Sequence, residues 1–262
     1  MRLATWNINS IRARHDRVLA WLERSDVDVL AIQETKIDDA RFPVQSFDKL
    51  GYRVAHHGTN QWNGVAIASR VGLDNVQVGV PGLPAYDEVA EARSIGAVCG
   101  GVTVWSLYVP NGRAVDDPHY HYKLHWLAVL RDYAAKQLAN EPHAQIALCG
   151  DFNIAPTDDD IWSVEYYRGA THVTGPERQA FGNLTEAGFT DVVRPFHPGP
   201  GVYTYWDYTR LSFQKRRGLR IDFALASPAL AARVVDARID REERKGKLPS
   251  DHAPVIIELR DA

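Results

Sequence analysis

An α/β fold in which β-sheets pack together under a cover of helices is what this sequence predicts, and three observations carry the prediction. Strand-like apolar runs outnumber helical ones along the whole chain. Helical segments separate some of those strands and not others. One pair of strands is joined by a tight hairpin, which suits packed sheets better than a purely parallel α/β barrel. The length of 262 residues, with 45% hydrophobic and 24% charged residues, provides for a large core at ordinary globular composition. No Gly/Ser linker, low-complexity tract or fixed-period repeat interrupts the chain, so residues 1–262 are expected to form a single domain.

The elements follow in order. Residues 3–8 alternate weakly and read as a strand; Ser10 is the expected N-cap of a helix that carries Ile11, Val18, Leu19 and Leu22 on one face. Residues 27–32 and 64–69 read as further strands. Residues 95–98 and 102–109 form a hairpin closed by Gly100-Gly101. Leu127, Leu130, Ala134 and Leu138 recur at helical spacing, Pro142 follows the helix end, and residues 146–148 begin another strand. Pro176 suits the first turn of a helix running through Leu184, and residues 220–226 and 255–259 are strand-like.

Charge and cysteine content narrow the class. Thirty Lys plus Arg against 33 Asp plus Glu give a net charge of −3, which excludes an acidic or basic tail protein. Cys99 and Cys149 lie in apolar strand-like runs and are expected to be buried reduced thiols. The first residues lack the apolar stretch of a secretion signal, and no run approaches the roughly 18 apolar residues of a membrane span. The expected compartment is the cytoplasm.

Several acidic and amide residues fall at strand ends, where a rigid scaffold hands side chains to a cleft. Asn7, Glu34, and Asp151 with Asn153 each follow an apolar run, and Asp251-His252 precede one. Singly, each also reads as a surface ion pair, a turn residue or a loop histidine. Together, carboxylates without a cysteine or histidine cluster suit a hard divalent cation such as Mg²⁺, which binds substrate phosphates. Phosphoryl chemistry is the natural expectation.

At these residues the chain resembles the exonuclease III family of apurinic/apyrimidinic endonucleases. The resemblance runs from end to end through Trp6-Asn7-Ile8-Asn9, Gln33-Glu34-Thr35-Lys36, Tyr108-Val109-Pro110-Asn111, Gly150-Asp151-Phe152-Asn153, Gly218-Leu219-Arg220-Ile221-Asp222 and Ser250-Asp251-His252-Ala253-Pro254. It implies a four-layered α/β sandwich, two packed mixed β-sheets flanked by helices. It also implies Glu34 as principal metal ligand with Asn7 and Asp251 nearby, Asp151 as proton acceptor from the attacking water, and Asn153 as the amide that orients it. His252 would pair with Asp222, and Tyr108 would hydrogen-bond the phosphate. Mg²⁺ is the implied ion, with Mn²⁺ as a substitute.

The implied activity is cleavage of double-stranded DNA 5′ to abasic sites, with trimming of blocked or ordinary 3′ ends, by a monomer independent of membranes. A chain of net charge −3 must then cluster its cations. Arg210, Lys215, Arg216, Arg217 and Arg220 supply one cluster, beside the aromatic stretch that holds Tyr205 and Trp206; Arg241, Arg244, Lys245 and Lys247 supply a second. By the same resemblance Tyr205, Leu219 and Ile221 line an apolar pocket for a flipped-out baseless sugar, and Arg113 lies near the DNA backbone. Asp158-Asp159-Asp160 reads as a solvated loop. Two alternatives share the fold: a non-catalytic RNA-associated regulator, and a phosphodiesterase or phosphatase acting on another phosphate ester.

Overall fold

The computed structural model describes residues 1–261. In chain order the elements are β1 (Arg2–Asn7), α1 (Ile11–Ser25), β2 (Val29–Gln33), α2 (Val44–Asp48), β3 (Arg53–His57), β4 (Val65–Ser69), β5 (Asp74–Val78), β6 (Ser94–Cys99), β7 (Val102–Tyr108), α3 (Pro118–Asn140), β8 (Ile146–Asp151), α4 (Val164–Tyr167), α5 (Gly175–Glu186), β9 (Thr190–Asp191), β10 (Asp222–Ala226), α6 (Pro228–Ala231), β11 (Val234–Ile239) and β12 (Val255–Leu259). The strands form two six-stranded sheets, ordered β11-β12-β1-β2-β4-β3 and β5-β6-β7-β8-β10-β9. Both are mixed, because β1–β2 and β7–β8 pair in parallel while their other neighbours pair antiparallel.

Alternation along the strands builds four layers. Leu3, Val29, Ala31 and Ile67 of the first sheet meet Ile95, Val104, Ala147 and Cys149 of the second in the central core. The opposite face of the first sheet, with Trp6, Leu30 and Ile32, packs on Val18, Trp21 and Leu22 of α1 and on Phe47 of α2. Trp105, Leu107 and Leu148 of the second sheet pack on Trp126, Leu127 and Leu130 of α3 and on Phe181 and Leu184 of α5. With both faces covered, β2 is buried along its whole length, which is why residues 29–32 read as a continuous apolar run. The expected sandwich of two mixed sheets flanked by helices is therefore observed.

The Gly100-Gly101 hairpin joins β6 to β7, with both glycines at positive φ, 55° and 81°. Cys99 and Cys149 are free and buried, and burial pushes their thiols up to about 11 and about 12. Among the described residues no helix is long and apolar enough to cross a membrane.

Two local expectations are corrected. Ser10 precedes α1 as expected, yet it sits at φ 94° and its side chain makes no capping bond. The Ser10 and Ile11 backbone N–H groups instead donate to the carbonyls of Glu34 and Thr35, at 2.7 and 3.0 Å, so the start of α1 is tied to the loop that carries Glu34. Asp160 is not solvated: it is fully buried, and its carboxylate accepts from Arg194 and from Arg220 Nε.

Candidate active site

The candidate site lies where strand ends of both sheets converge. β1 and β2 run in parallel and place Asn7 opposite Gln33, with Glu34 one residue beyond. In the other sheet, β7 and β8 place Tyr108 opposite Asp151, and antiparallel β10 brings Asp222 to the far side of Asp151. Residues 250–252 lead into β12, the antiparallel neighbour of β1. Gly150 permits this approach, because a Cβ there would lie 1.9 Å from the Leu107 carbonyl oxygen on the adjacent strand.

Six residues from distant parts of the chain converge as two hydrogen-bonded sets, Asn7–Glu34–Asp151–Asn153 and His252–Asp222, that face each other across Asp151. Asn7 Nδ2 donates to Glu34 Oε1 at 2.8 Å and to Asp151 Oδ2 at 3.0 Å. Its Oδ1 accepts from the Asn9 backbone N–H at 3.0 Å, and a backbone N–H only donates, so the orientation of the amide is fixed. Asn153 N–H donates to Asp151 Oδ1 at 2.9 Å, and Asn153 Nδ2 donates to the Val109 carbonyl at 2.9 Å. His252 Nδ1 donates to Asp222 Oδ2 at 2.8 Å, which turns Nε2 toward Asp151 Oδ2, 3.8 Å away. Asp251 Oδ1 accepts from Asn9 Nδ2 at 3.0 Å. Glu34 and Asn153 both hold positive φ, 54° and 52°, a conformation uncommon outside glycine that concentrates at functional sites.

Burial and charge separate the titrating groups. Burial opposes ionisation of Asp151 and, with the Asp222 and Glu34 carboxylates nearby, raises it to about 7, although His252 pulls the other way. Burial would push the His252 imidazolium down, but the Asp222 and Asp151 carboxylates outweigh it and raise the group to about 10. Glu34 behaves differently: burial opposes its charge, yet the Lys36 ammonium 2.8 Å from Oε2 and the Asn7 amide hold its carboxyl below the usual range. Tyr108 keeps its proton because burial and the Glu34 carboxylate push it well above its ordinary value, and the Arg93 guanidinium lies 4.7 Å from its ring centre.

Glu34, Asp151 and His252 present ligand atoms within 4.8 Å of one another. Since His252 is held as an imidazolium, the donors suited to a cation here are the oxygens, and oxygen donors fit a hard divalent ion. Lys36 already places positive charge against Glu34 at this point.

The remaining expected residues separate into three groups. Tyr205 and Leu219 line a pocket of about 210 Å³ with Trp162 and Tyr167, but it is not the apolar pocket expected, because His172, Asp207 and Arg217 share its wall. Ile221 lies behind that wall, in an apolar cluster with Ala155, Ile161 and Leu219. Arg210 and Arg217 reach the pocket, whereas Lys215 and Arg216 are exposed and Arg216 lines a separate hollow with Tyr203 and Arg241. Arg113 lines a neighbouring hollow with Trp62, Tyr86 and Tyr108.

Trp206 is a correction: it is 2% exposed and packed edge-on against Phe213, and what little of it is open faces a separate hollow with Tyr203, Arg216 and Arg241, away from the Tyr205 pocket. Arg220 also leaves the basic surface, because it is buried against Asp160 and Asp191 at 2.6 Å each. Arg244 is buried too, donating to the Ser250 and Trp206 carbonyls.

The structure adds residues that the sequence did not single out. Thr204 Oγ1 accepts from the N–H groups of Ile221 and Asp222 at 3.1 Å each, and Ser250 Oγ donates to the Asn7 carbonyl at 2.7 Å; both tie the site loops together. His172 forms part of the pocket wall and donates from Nδ1 to the Asn153 carbonyl at 2.6 Å. A larger groove of about 700 Å³ lies beside α1, rimmed by Arg12, Arg17, Arg41 and Lys247. It lacks converging carboxylates and amides, so the chemistry is assigned to the strand ends. Its cations are dispersed in sequence and form no run that composition reveals.

Known proteins resemble this chain along its whole length. A model of the Endonuclease/Exonuclease/phosphatase family matches residues 4–252. An exodeoxyribonuclease III of Haemophilus influenzae is 34% identical over 272 residues, covering 99% of this chain and 100% of the relative. Among solved structures, a 3′ phosphatase from Neisseria bound to a product DNA hairpin superposes with a TM-score of 0.94 at 38% identity. An AP endonuclease from Archaeoglobus fulgidus does so with a TM-score of 0.93 at 35% identity, and in both cases all of each chain is covered. With the family model spanning nearly the full chain, the protein belongs to the Endonuclease/Exonuclease/phosphatase family.

Proposed function

We propose that this protein is a divalent-metal-dependent DNA repair nuclease. It hydrolyses the phosphodiester 5′ to an abasic site to leave a 3′-hydroxyl, and it removes nucleotides or blocking groups from 3′ ends of duplex DNA. The observation that carries this reading is the buried Asp151, set between the Asn153 amide, the His252–Asp222 pair and the Asn7–Glu34 contact. A purely binding surface has no chemical need for such a set, which argues against the RNA-associated regulator.

In this reading Asp151 accepts a proton as a water oxygen bonds to phosphorus and the bond to the 3′ oxygen breaks. A base near 7 is well matched to that task. Asn153 orients the water, and the Tyr108 hydroxyl donates to a phosphate oxygen. The His252 imidazolium faces the negative charge that develops on the phosphate. A bound Mg²⁺ or Mn²⁺ would supply positive charge to offset the negative charge of the phosphate oxygens and the leaving 3′ oxygen. Glu34 and Asp251 are the residues that would hold it; the Asn7 amide is committed to Glu34 and Asp151 and so spaces the metal-binding carboxylate from the base.

The pocket behind Tyr205 and Leu219 supports the substrate assignment. At about 210 Å³ it is below the range of sites that enclose drug-sized ligands, and its size fits one small group such as an extruded sugar. A site without a paired, stacked base also costs less to extrude from the helix. The relatives named for a 3′ phosphatase and an AP endonuclease bracket the two forms of substrate, a terminal and an internal deoxyribose. The test is to incubate the protein with labelled duplexes carrying an internal abasic analogue, a 3′-phosphate or neither, with and without Mg²⁺, and to map the products. Mg²⁺-dependent cuts 5′ to the analogue and release of the 3′-phosphate are expected. No cleavage of any duplex would refute the nuclease reading.

Glu34→Gln is expected to raise the Mg²⁺ concentration for half-maximal activity and to lower the maximum rate, because a neutral amide is a poorer ligand for a hard cation than a carboxylate. An unchanged Mg²⁺ titration would remove Glu34 from the metal site.

Neutralising Lys215, Arg216 and Arg217 together is expected to weaken binding to damaged and intact duplex alike. The log–log salt slope should flatten by roughly 0.9 for each phosphate that these side chains cease to neutralise. Affinities measured over a salt series check this, and a lost preference for abasic DNA at an unchanged slope would contradict it.

A further inference from the structure

Two charges are buried beneath the catalytic loop with no part yet assigned. Lys123, on α3, and Glu177, on α5, both have fully buried side chains and pair at 2.5 Å. Burying an ion pair is costly, and an apolar pair of similar volume is often at least as stable, so the arrangement invites a reason beyond packing. The reason lies in what else each group holds.

Lys123 Nζ donates a second bond, 2.6 Å long, to the Asn153 carbonyl, which also accepts from His172 Nδ1 at 2.6 Å. Glu177 collects the loop before α5. Its Oε1 accepts from Thr171 Oγ1 at 2.7 Å and from the His172 N–H at 2.9 Å, and its Oε2 accepts from Thr174 Oγ1 at 2.8 Å and the Thr174 N–H at 3.1 Å. The His172 carbonyl in turn accepts from Ala155 N–H at 2.8 Å, closing a frame around residues 153–155. Asn153 is thus held in its left-handed conformation, φ 52°, from below by its carbonyl and from above by its amide on Val109.

We infer that Lys123 and Glu177 are positioning residues, which set the catalytic loop by pinning the Asn153 carbonyl and the 171–174 segment to α3 and α5. Neither touches substrate. Their effect passes through Asn153, whose N–H also fixes Asp151 Oδ1, so a small change in the backbone torsions that link its carbonyl to its N–H misplaces both the side-chain amide and the proposed base. A displacement of about 1 Å in such a group costs on the order of 10²-fold in rate. The inference rests on the assignment of Asn153 made above.

The test compares Lys123→Met, Glu177→Gln and the double variant with wild type, in thermal unfolding, DNA affinity and single-turnover cleavage at saturating abasic duplex. Each single variant strands a buried group, so a lower melting temperature is expected. The double variant removes both charges and should recover most of that loss. Its affinity should stay within about threefold of wild type, while its cleavage rate remains roughly 10²-fold down. A purely structural pair would instead regain its rate together with its stability, and that outcome overturns the inference.

The same double variant is then placed on Asn153→Ala. If the pair acts through Asn153, its further cost there should be smaller than in wild type, limited to what the remaining backbone N–H passes on to Asp151; a full additional loss of roughly 10²-fold also overturns the inference. An Asn153→Ala protein with the wild-type rate would instead strike the underlying assignment of Asn153. A slow Asn153→Ala beside a fast double variant would strike the positioning role alone.

Discussion

Asp151→Asn is expected to lower single-turnover cleavage on the order of 10⁴-fold, the upper end of what a positioned general base supplies, while affinity for abasic duplex stays near wild type. Shape is conserved, because asparagine fills the same volume and its carbonyl oxygen still accepts from Asn153 N–H. Charge is not. The buried site loses the group that takes a proton, and the repulsion among Glu34, Asp151 and Asp222 is relieved. Folding should therefore survive, with one local cost where the new amide NH₂ faces Asn7 Nδ2, now 3.0 Å from Asp151 Oδ2. Cleavage at the wild-type rate by the folded variant would remove Asp151 from the chemistry.

Asp222→Asn acts on the partner group and has a pH signature. Burial alone would push His252 down, and Asp222 is the first of the carboxylates that reverse this to reach about 10. Without that charge the imidazolium's folded value falls, so the charged form is lost at a lower pH. The sign follows directly: the alkaline limb of the rate profile should move to lower pH, with a loss of roughly 10²- to 10³-fold at pH 7. The hydrogen bond that selects the Nδ1–H form weakens as well, since an amide can present its NH₂ to Nδ1. DNA affinity should change only severalfold. An alkaline limb that stays in place would show that His252 does not act as the charged group.

Interior strands were legible and edge strands were not. β1, β2, β4, β6, β7, β8, β10 and β12 all lie inside the two sheets, and each left an apolar run in the sequence. The four edges are β3, β5, β9 and β11. β5, with the sequence Asp-Asn-Val-Gln-Val, exposes most of its residues, and Val235 of β11 is 51% exposed, so neither carries the continuous or alternating apolar signal of a covered strand. Edge pairing is satisfied by backbone bonds that side-chain pattern does not report.

The site divides along similar lines. Asn7, Glu34, Asp151 and His252 were legible because each abuts an interior strand, and the sheet topology then brings their strands to one end of the sandwich. Arg220 read as a surface cation because its partners, Asp160 and Asp191, lie 60 and 29 residues away in sequence. Trp206 read as a binding aromatic for a similar reason, since its burial depends on Phe213 and Gly218 folding over it. Lys123 and Glu177 sit 54 residues apart, and only the packing of α3 on α5 turns two helix charges into a buried pair.

The most direct test of the central claim, that water activated at Asp151 displaces the 3′ oxygen from phosphorus, is to cleave an abasic duplex under single-turnover conditions in water enriched in heavy oxygen. The strand bearing the abasic sugar should leave with one heavy oxygen in its 5′-phosphate, and the other fragment should end in an unlabelled 3′-hydroxyl. An unlabelled 5′-phosphate, or a fragment ending in an unsaturated sugar, would contradict hydrolysis at this phosphorus and with it the role given to Asp151.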